Sequence, residues 1–158
     1  MSMRLTGFKE FERALKEELP KSTAKAVLWR VATRSMKRVE QAMAQNAPYD
    51  PNDRDGDGNH LRDTMKTQRV KATRQRGSVK FETRNGVEVR TGPAPTGKRA
   101  RANAGWQEEG TVKQAANPYA RPAADAEQNN VIDDVRDELT IQIEKAKARI
   151  AKRALKGR

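Results

Sequence analysis

Few residues in this chain could carry chemistry. One histidine, His60, and no cysteine leave no material for thiolate catalysis, disulfides, a histidine-ligated metal site or a Ser-His-Asp triad. The most metal-like run is Asp53-x-Asp55-x-Asp57-Gly58, which matches the opening of a calcium loop. Such a loop needs a bidentate carboxylate at its twelfth position, and that position holds Thr64. An acidic surface loop is therefore expected there. Glu108 and Glu109 are the best candidates for paired acids. On the strand expected over 105–109, neighbours point to opposite faces and make a poor catalytic pair. No nucleophile elbow, phosphate loop or dinucleotide fingerprint occurs. The reading is of a protein that is not an enzyme, with no catalytic residue, metal or cofactor assigned.

Charge is the stronger signal. Thirty-three lysines and arginines face 21 acids, for a net charge of +12, which implies an anionic partner. The basic residues gather at Lys66–Arg76, Lys98–Arg101 and Lys145–Arg158. Single-strand binders interleave aromatics for base stacking. Here the first and third clusters have none, and the second has only Trp106 nearby. No helix-turn-helix or zinc finger is visible. That leaves nonspecific contact with phosphates, or docking on an acidic protein. Lys98, Arg99, Arg101, Lys152 and Arg153 are the candidates for an anion or DNA contact. No apolar run approaches the roughly 20 residues of a membrane span, and the N-terminus lacks a signal-peptide core.

The elements that would position these residues follow from periodicity. Phe8, Phe11, Leu15 and Leu19 share one face of a helix over 5–19, with Thr6 as its cap. Pro20 stops it, and a second helix runs from Lys21 to Gln45 with an apolar stripe at Ala24, Val27, Leu28, Val31, Met36, Val39, Ala42 and Met43. Trp29 lies at the edge of that stripe. Residues 49–60 are loop. From Met65 the period becomes two, so a strand is expected, with others at 78–83 and after the Asn85-Gly86 hairpin signal. Residues 92–104 are expected to be a mobile basic loop. A last helix over 123–155, about 33 residues and roughly 50 Å long, carries Val131 or Ile132, Val135, Leu139, Ile143, Ala146, Ile150 and Ala154. The fold expected is α+β in one domain: two N-terminal helices, an antiparallel sheet of three to four strands, and a long C-terminal helix with a basic end. Hydrophobic content of 35% and aromatic content of 4% imply a small aliphatic core.

The stretch 105–124, GWQEEGTVKQAANPYARPAA, joins the expected sheet to that helix. Pro122 suits a helix's first turn, and Pro118 forces Asn117 into an extended backbone.

Several pieces occur in one order: Gly7-Phe8-x-x-Phe11, Ala47-Pro48, Leu61-Arg62-Asp63-Thr64, Glu108-Glu109-Gly110-Thr111, and Asn117-Pro118-Tyr119-Ala120-Arg121-Pro122-Ala123. This order resembles the small tail-completion or head–tail joining proteins of long-tailed bacteriophages. Glu109-Gly110-Thr111 and Pro118 to Ala123 are its most specific parts. The chain differs from the family in its longer 50–59 segment, in Thr64 where a serine is expected, and in Tyr119 where a phenylalanine is expected. The resemblance implies a virion structural protein of the phage neck, made in the host cytoplasm. It would form a ring, usually a homo-hexamer, through which DNA passes. Its partners would be the connector or stopper, the tail terminator or the tail tube. Trp106, Glu108, Glu109, Gly110, Thr111, Pro118, Tyr119, Arg121 and Pro122 then become candidates for a subunit interface or assembly joint. The alternative reading is a nonspecific nucleic-acid-binding protein.

Overall fold

The computed structural model describes residues 7–49, 51, 60–70, 87–94 and 98–156, the side chains of 98–102 excepted. The elements in order are helix α1 (Phe8–Arg13), a π-helical turn (Ala14–Glu18), helix α2 (Lys21–Asn46) and a 3-10 turn (Leu61–Thr64). Strands β1 (Met65–Arg69) and β2 (Val89–Pro93) follow, then helices α3 (Lys98–Glu109) and α4 (Ala120–Leu155). The class is α+β, with two strands rather than three or four among the described residues. The chain divides into two compact units.

The first unit comprises the described parts of 7–35, 69–89 and 132–156. The expected cap Thr6 lies outside the described residues; Gly7 takes that position in an extended conformation, and its N–H donates to Glu10 Oε2 at 3.3 Å. Leu19 is extended at φ −120°, ψ 139°, as a residue before proline must be, and so the first helix ends there. The core is Phe11, Ala14, Leu19, Ala24, Val27, Val31, Leu139, Ile143 and Ala146. The three- and four-residue spacing read in the sequence thus meets on facing helices. Phe8 departs from it and is 56% exposed. Trp29 is half-buried, with the Arg69 guanidinium 5.6 Å from its ring centre. Arg34 donates to both Glu138 oxygens at 3.0 Å, and Lys147 pairs with Glu18. The Ser35 hydroxyl is buried and has no hydrogen-bond partner among the described residues.

The second unit comprises the described parts of 36–68 and 90–131. Its core is Val39, Met43, Ala47, Leu61, Met65, Ala104, Tyr119 and Ala123, with Val131 packed against it. Of the two alternatives in the α4 stripe, Val131 is the one that packs, while Ile132 is exposed. Strands β1 and β2 are antiparallel: Ala94 N–H donates to Thr64 O at 2.9 Å, and the hydroxyls of Thr67 and Thr91 lie 3.0 Å apart. The Thr67 N–H donates instead to Glu40 Oε2 at 2.6 Å. A side-chain carboxylate thereby occupies a strand-edge donor that could otherwise pair with another chain.

Two expectations fail here. Residues 105–109 are not a fourth strand, and 98–104 are not loop; together they form α3. The reason is local. Lys98 to Ala104 is an uninterrupted run of lysine, arginine, alanine and one asparagine, mostly strong helix formers, and the prolines at 93 and 95 precede the helix. The strand expected at 78–83, the Asn85-Gly86 turn and the Asp53–Asp57 motif lie outside the described residues.

Candidate functional site

The corner between α3 and α4 belongs wholly to the second unit, and it is organised around one carboxylate. A helix leaves the N–H groups of its cap and first three residues without partners inside the helix. For α4 these belong to Tyr119, Ala120, Arg121 and Pro122. Glu108 Oε2 accepts from Tyr119 and Ala120, both at 2.8 Å, and Oε1 accepts from Arg121 at 3.1 Å. Pro122 has no N–H to satisfy. All four positions are thus accounted for by one side chain, eleven to thirteen residues earlier in the chain, and one proline. The residue just before α4 is Tyr119, whose side chain cannot cap locally as Ser, Thr, Asp or Asn would.

The electrostatics agree. Burial pushes the Glu108 carboxyl up, but the three backbone N–H groups and the Arg121 guanidinium outweigh it and hold it below the usual glutamate range. A negative charge at a helix N-terminus is also favoured by the helix dipole. Arg121 Nε lies 3.8 Å from Glu108 Oε1, with the Arg121 side chain 76% exposed. Of the two neighbouring acids, Glu108 rather than Glu109 is the one beside Arg121.

The chain between the helices is tightly wound. Gly110 has φ +77°, and its N–H donates to Trp106 O at 2.8 Å to finish α3. A Cβ there would sit 2.8 Å from Ala116 N, so the position needs glycine on two counts. Thr111 Oγ1 accepts from Lys113 N–H at 3.2 Å and Gln114 N–H at 3.1 Å, a side-chain turn of the Ser/Thr kind. Thr111 N–H donates to Gln114 O at 2.8 Å, and Val112 stands fully exposed at the tip. The returning chain is tied to α3 where Asn117 N–H donates to Gln107 O at 2.7 Å. Tyr119 then enters the core at 2% exposure, its hydroxyl donating to Ala104 O at 3.3 Å. Burial, with the Glu108 charge second, pushes that phenol up to about 12.

Of the sequence-derived candidates, Glu108, Gly110, Thr111, Pro118, Tyr119, Arg121 and Pro122 come together in this corner. Trp106 and Glu109 do not. The buried Ala104 and the half-buried Glu108 share the inward face of α3, and Trp106 lies about 200° around the helix from Ala104. Lys152 and Arg153 are exposed in the last turn of α4. The backbone of Lys98, Arg99 and Arg101 is helical, but their side chains lie outside the described residues. Sequence reasoning missed Ala104, which shares the buried cluster of Tyr119 and Ala123. It treated Glu108 as half of an acid pair rather than as a cap. Tyr119 cannot cap α4 itself, but with the helix expected to start at 123 no local pattern marked the remote acceptor.

Among the described residues no grouping of three or more His, Cys, Asp or Glu is arranged to hold a metal ion, and no helix is long and apolar enough to cross a membrane. Comparison with protein-family models, with curated proteins and with solved structures returned no match.

Proposed function

We propose that this chain is a virion structural subunit joining phage head and tail, a tail-completion or neck protein. It assembles as a ring, sixfold in the first instance, around the channel through which DNA passes. One observation carries the reading. Of the residues on which the resemblance rests most specifically, Gly110-Thr111 and Pro118 to Ala123 lie together in one corner with Glu108, while Glu109 stands exposed beside it. Within it the left-handed Gly110, the Thr111 turn, the buried Tyr119 and the helix-starting Pro122 each have a defined structural task. That these residues share one folded corner supports the reading. A rigid corner of this kind sets the direction in which α3 and α4 leave it, and a closed ring needs repeatable geometry between subunits.

The exposed residues around the corner, Arg121, Glu109, Trp106 and Val112, are available to neighbouring subunits or to the connector, stopper, terminator or tube. The net charge of +12 suits a wall facing packaged DNA or acidic neck proteins. The test is to purify the full chain, treat it with nuclease, and image it at moderate salt with and without tail tubes. Rings, or chain bound to tube ends, are expected. A strictly monomeric protein whose only activity is salt-sensitive DNA binding would refute the proposal.

A further inference from the structure

Within the first unit, α1 and α2 border an apolar groove of about 690 Å³. Phe8, Phe11, Leu15, Leu28 and Leu139 form its walls, and Lys16, Lys21 and Lys25 stand among its polar residues. Lys16 is engaged by Glu12. Among the described residues, Lys21 and Lys25 pair with no acid. An occupant that matches this surface carries a large apolar anchor and a free carboxylate close beside it.

The chain itself presents such a feature. Trp106 is 48% exposed on the outward side of α3, and Glu109, three residues on, shares that side. Glu109 is exposed and has no cation partner among the described residues. Among the other exposed apolar side chains, Ile132 and Ile141 also have acids close by in the chain, but an isoleucine is a smaller anchor than a tryptophan. Val112 adjoins Lys113, and Leu155 stands among Lys152, Arg153 and Lys156, so both would bring positive charge to a positive rim. Tryptophan is also the residue most enriched among interface anchors, where it fills apolar pockets, and it buries about 150–250 Å² when it does so.

We infer that Trp106 of one copy inserts into the α1–α2 groove of a neighbouring copy, with Glu109 meeting Lys21 and Lys25. Knob and groove are different surfaces of the same chain. The contact is therefore head-to-tail, the kind that closes into rings when the rotation per subunit permits. The inference rests on the ring reading above and names the contact that would build the ring.

The test compares full-length wild type with W106A, with K21E/K25E, and with the triple variant E109K/K21E/K25E, by sedimentation across a concentration series. Circular dichroism checks the fold; Trp106, Glu109 and Lys21 are exposed and Lys25 is half-buried. W106A should weaken association about thirtyfold or more, the cost of losing a hot-spot residue. K21E/K25E should weaken it as well, and the triple variant should recover it. Wild-type assembly by both W106A and K21E/K25E would overturn the inference and leave the ring reading standing. A triple variant that stays dissociated would overturn the charge pairing. Variants that self-assemble normally but no longer bind tail tubes would assign the groove to an acidic neighbouring protein, which also overturns the second-copy contact. A wild type that never assembles would remove the ring reading and this inference together.

Discussion

Replacing Glu108 with glutamine isolates the role of its charge while keeping its shape. The carboxylate accepts three N–H groups at 2.8, 2.8 and 3.1 Å, and its side chain is 14% exposed. The amide of E108Q keeps one acceptor oxygen. Its NH2 group would then face the Arg121 N–H, donor against donor. Loss of a helix cap costs about 0.5–2 kcal/mol, and hydrogen bonds to a charged group contribute about 1.5–3 kcal/mol. The expected loss at neutral pH is about 2 kcal/mol, or roughly 4–8 °C in melting temperature for a chain of this size. The pH dependence is more diagnostic. The folded-state pKa of Glu108 lies below its ordinary value, so its contribution is fully present above the ordinary carboxylate range. It is lost as pH falls through the folded value. Urea unfolding of wild type and E108Q at several pH values should show a gap that is widest at neutral pH and narrows in acid. A gap under about 0.5 kcal/mol at neutral pH, or one that does not change with pH, would refute the capping account.

Three further substitutions separate fold from assembly. G110A adds a side chain at φ +77° and places its Cβ 2.8 Å from Ala116 N; it should cost more than about 1 kcal/mol in chemical denaturation, and a neutral result would contradict the tight turn. S35A removes a buried hydroxyl with no partner among the described residues, so its stability should match or exceed that of wild type by up to about 1 kcal/mol. A clear destabilisation would mean that the hydroxyl has a partner. R121A removes a side chain that is 76% exposed and 3.8 Å from its acid, an ion pair of about 0–1 kcal/mol at most. Its melting temperature should hardly move while assembly or virion yield falls, and normal yield would dismiss Arg121 as an assembly residue.

The helices were legible in the sequence because their stripes repeat every three or four residues. Phe11, Val27, Val31, Leu139 and Ile143 were placed in the core on that signal alone, and they are buried. The beginning of β1 was legible from the change of period at Met65. Helix α3 was not. Its residues 98–104 look like a basic loop when judged by charge and flanking prolines, and like a helix when judged by propensity; the structure follows propensity. Glu108 was legible as a residue of interest but not as a cap. Its partners lie eleven to thirteen positions later, and no local pattern encodes that separation. Gly110 was legible as a candidate of the assembly joint. Its left-handed backbone and close approach to Ala116 depend on the returning chain, which the spacing of residues cannot supply.

The most direct measurement is the mass and shape of the nuclease-treated full chain at moderate salt, by native mass spectrometry with electron microscopy of the same sample. Closed rings of a fixed copy number, six in the first instance, free of nucleic acid and able to join tail tubes, are the predicted result. A monomer at every concentration, gaining mass only when DNA is added and losing it when salt is raised, would contradict the account.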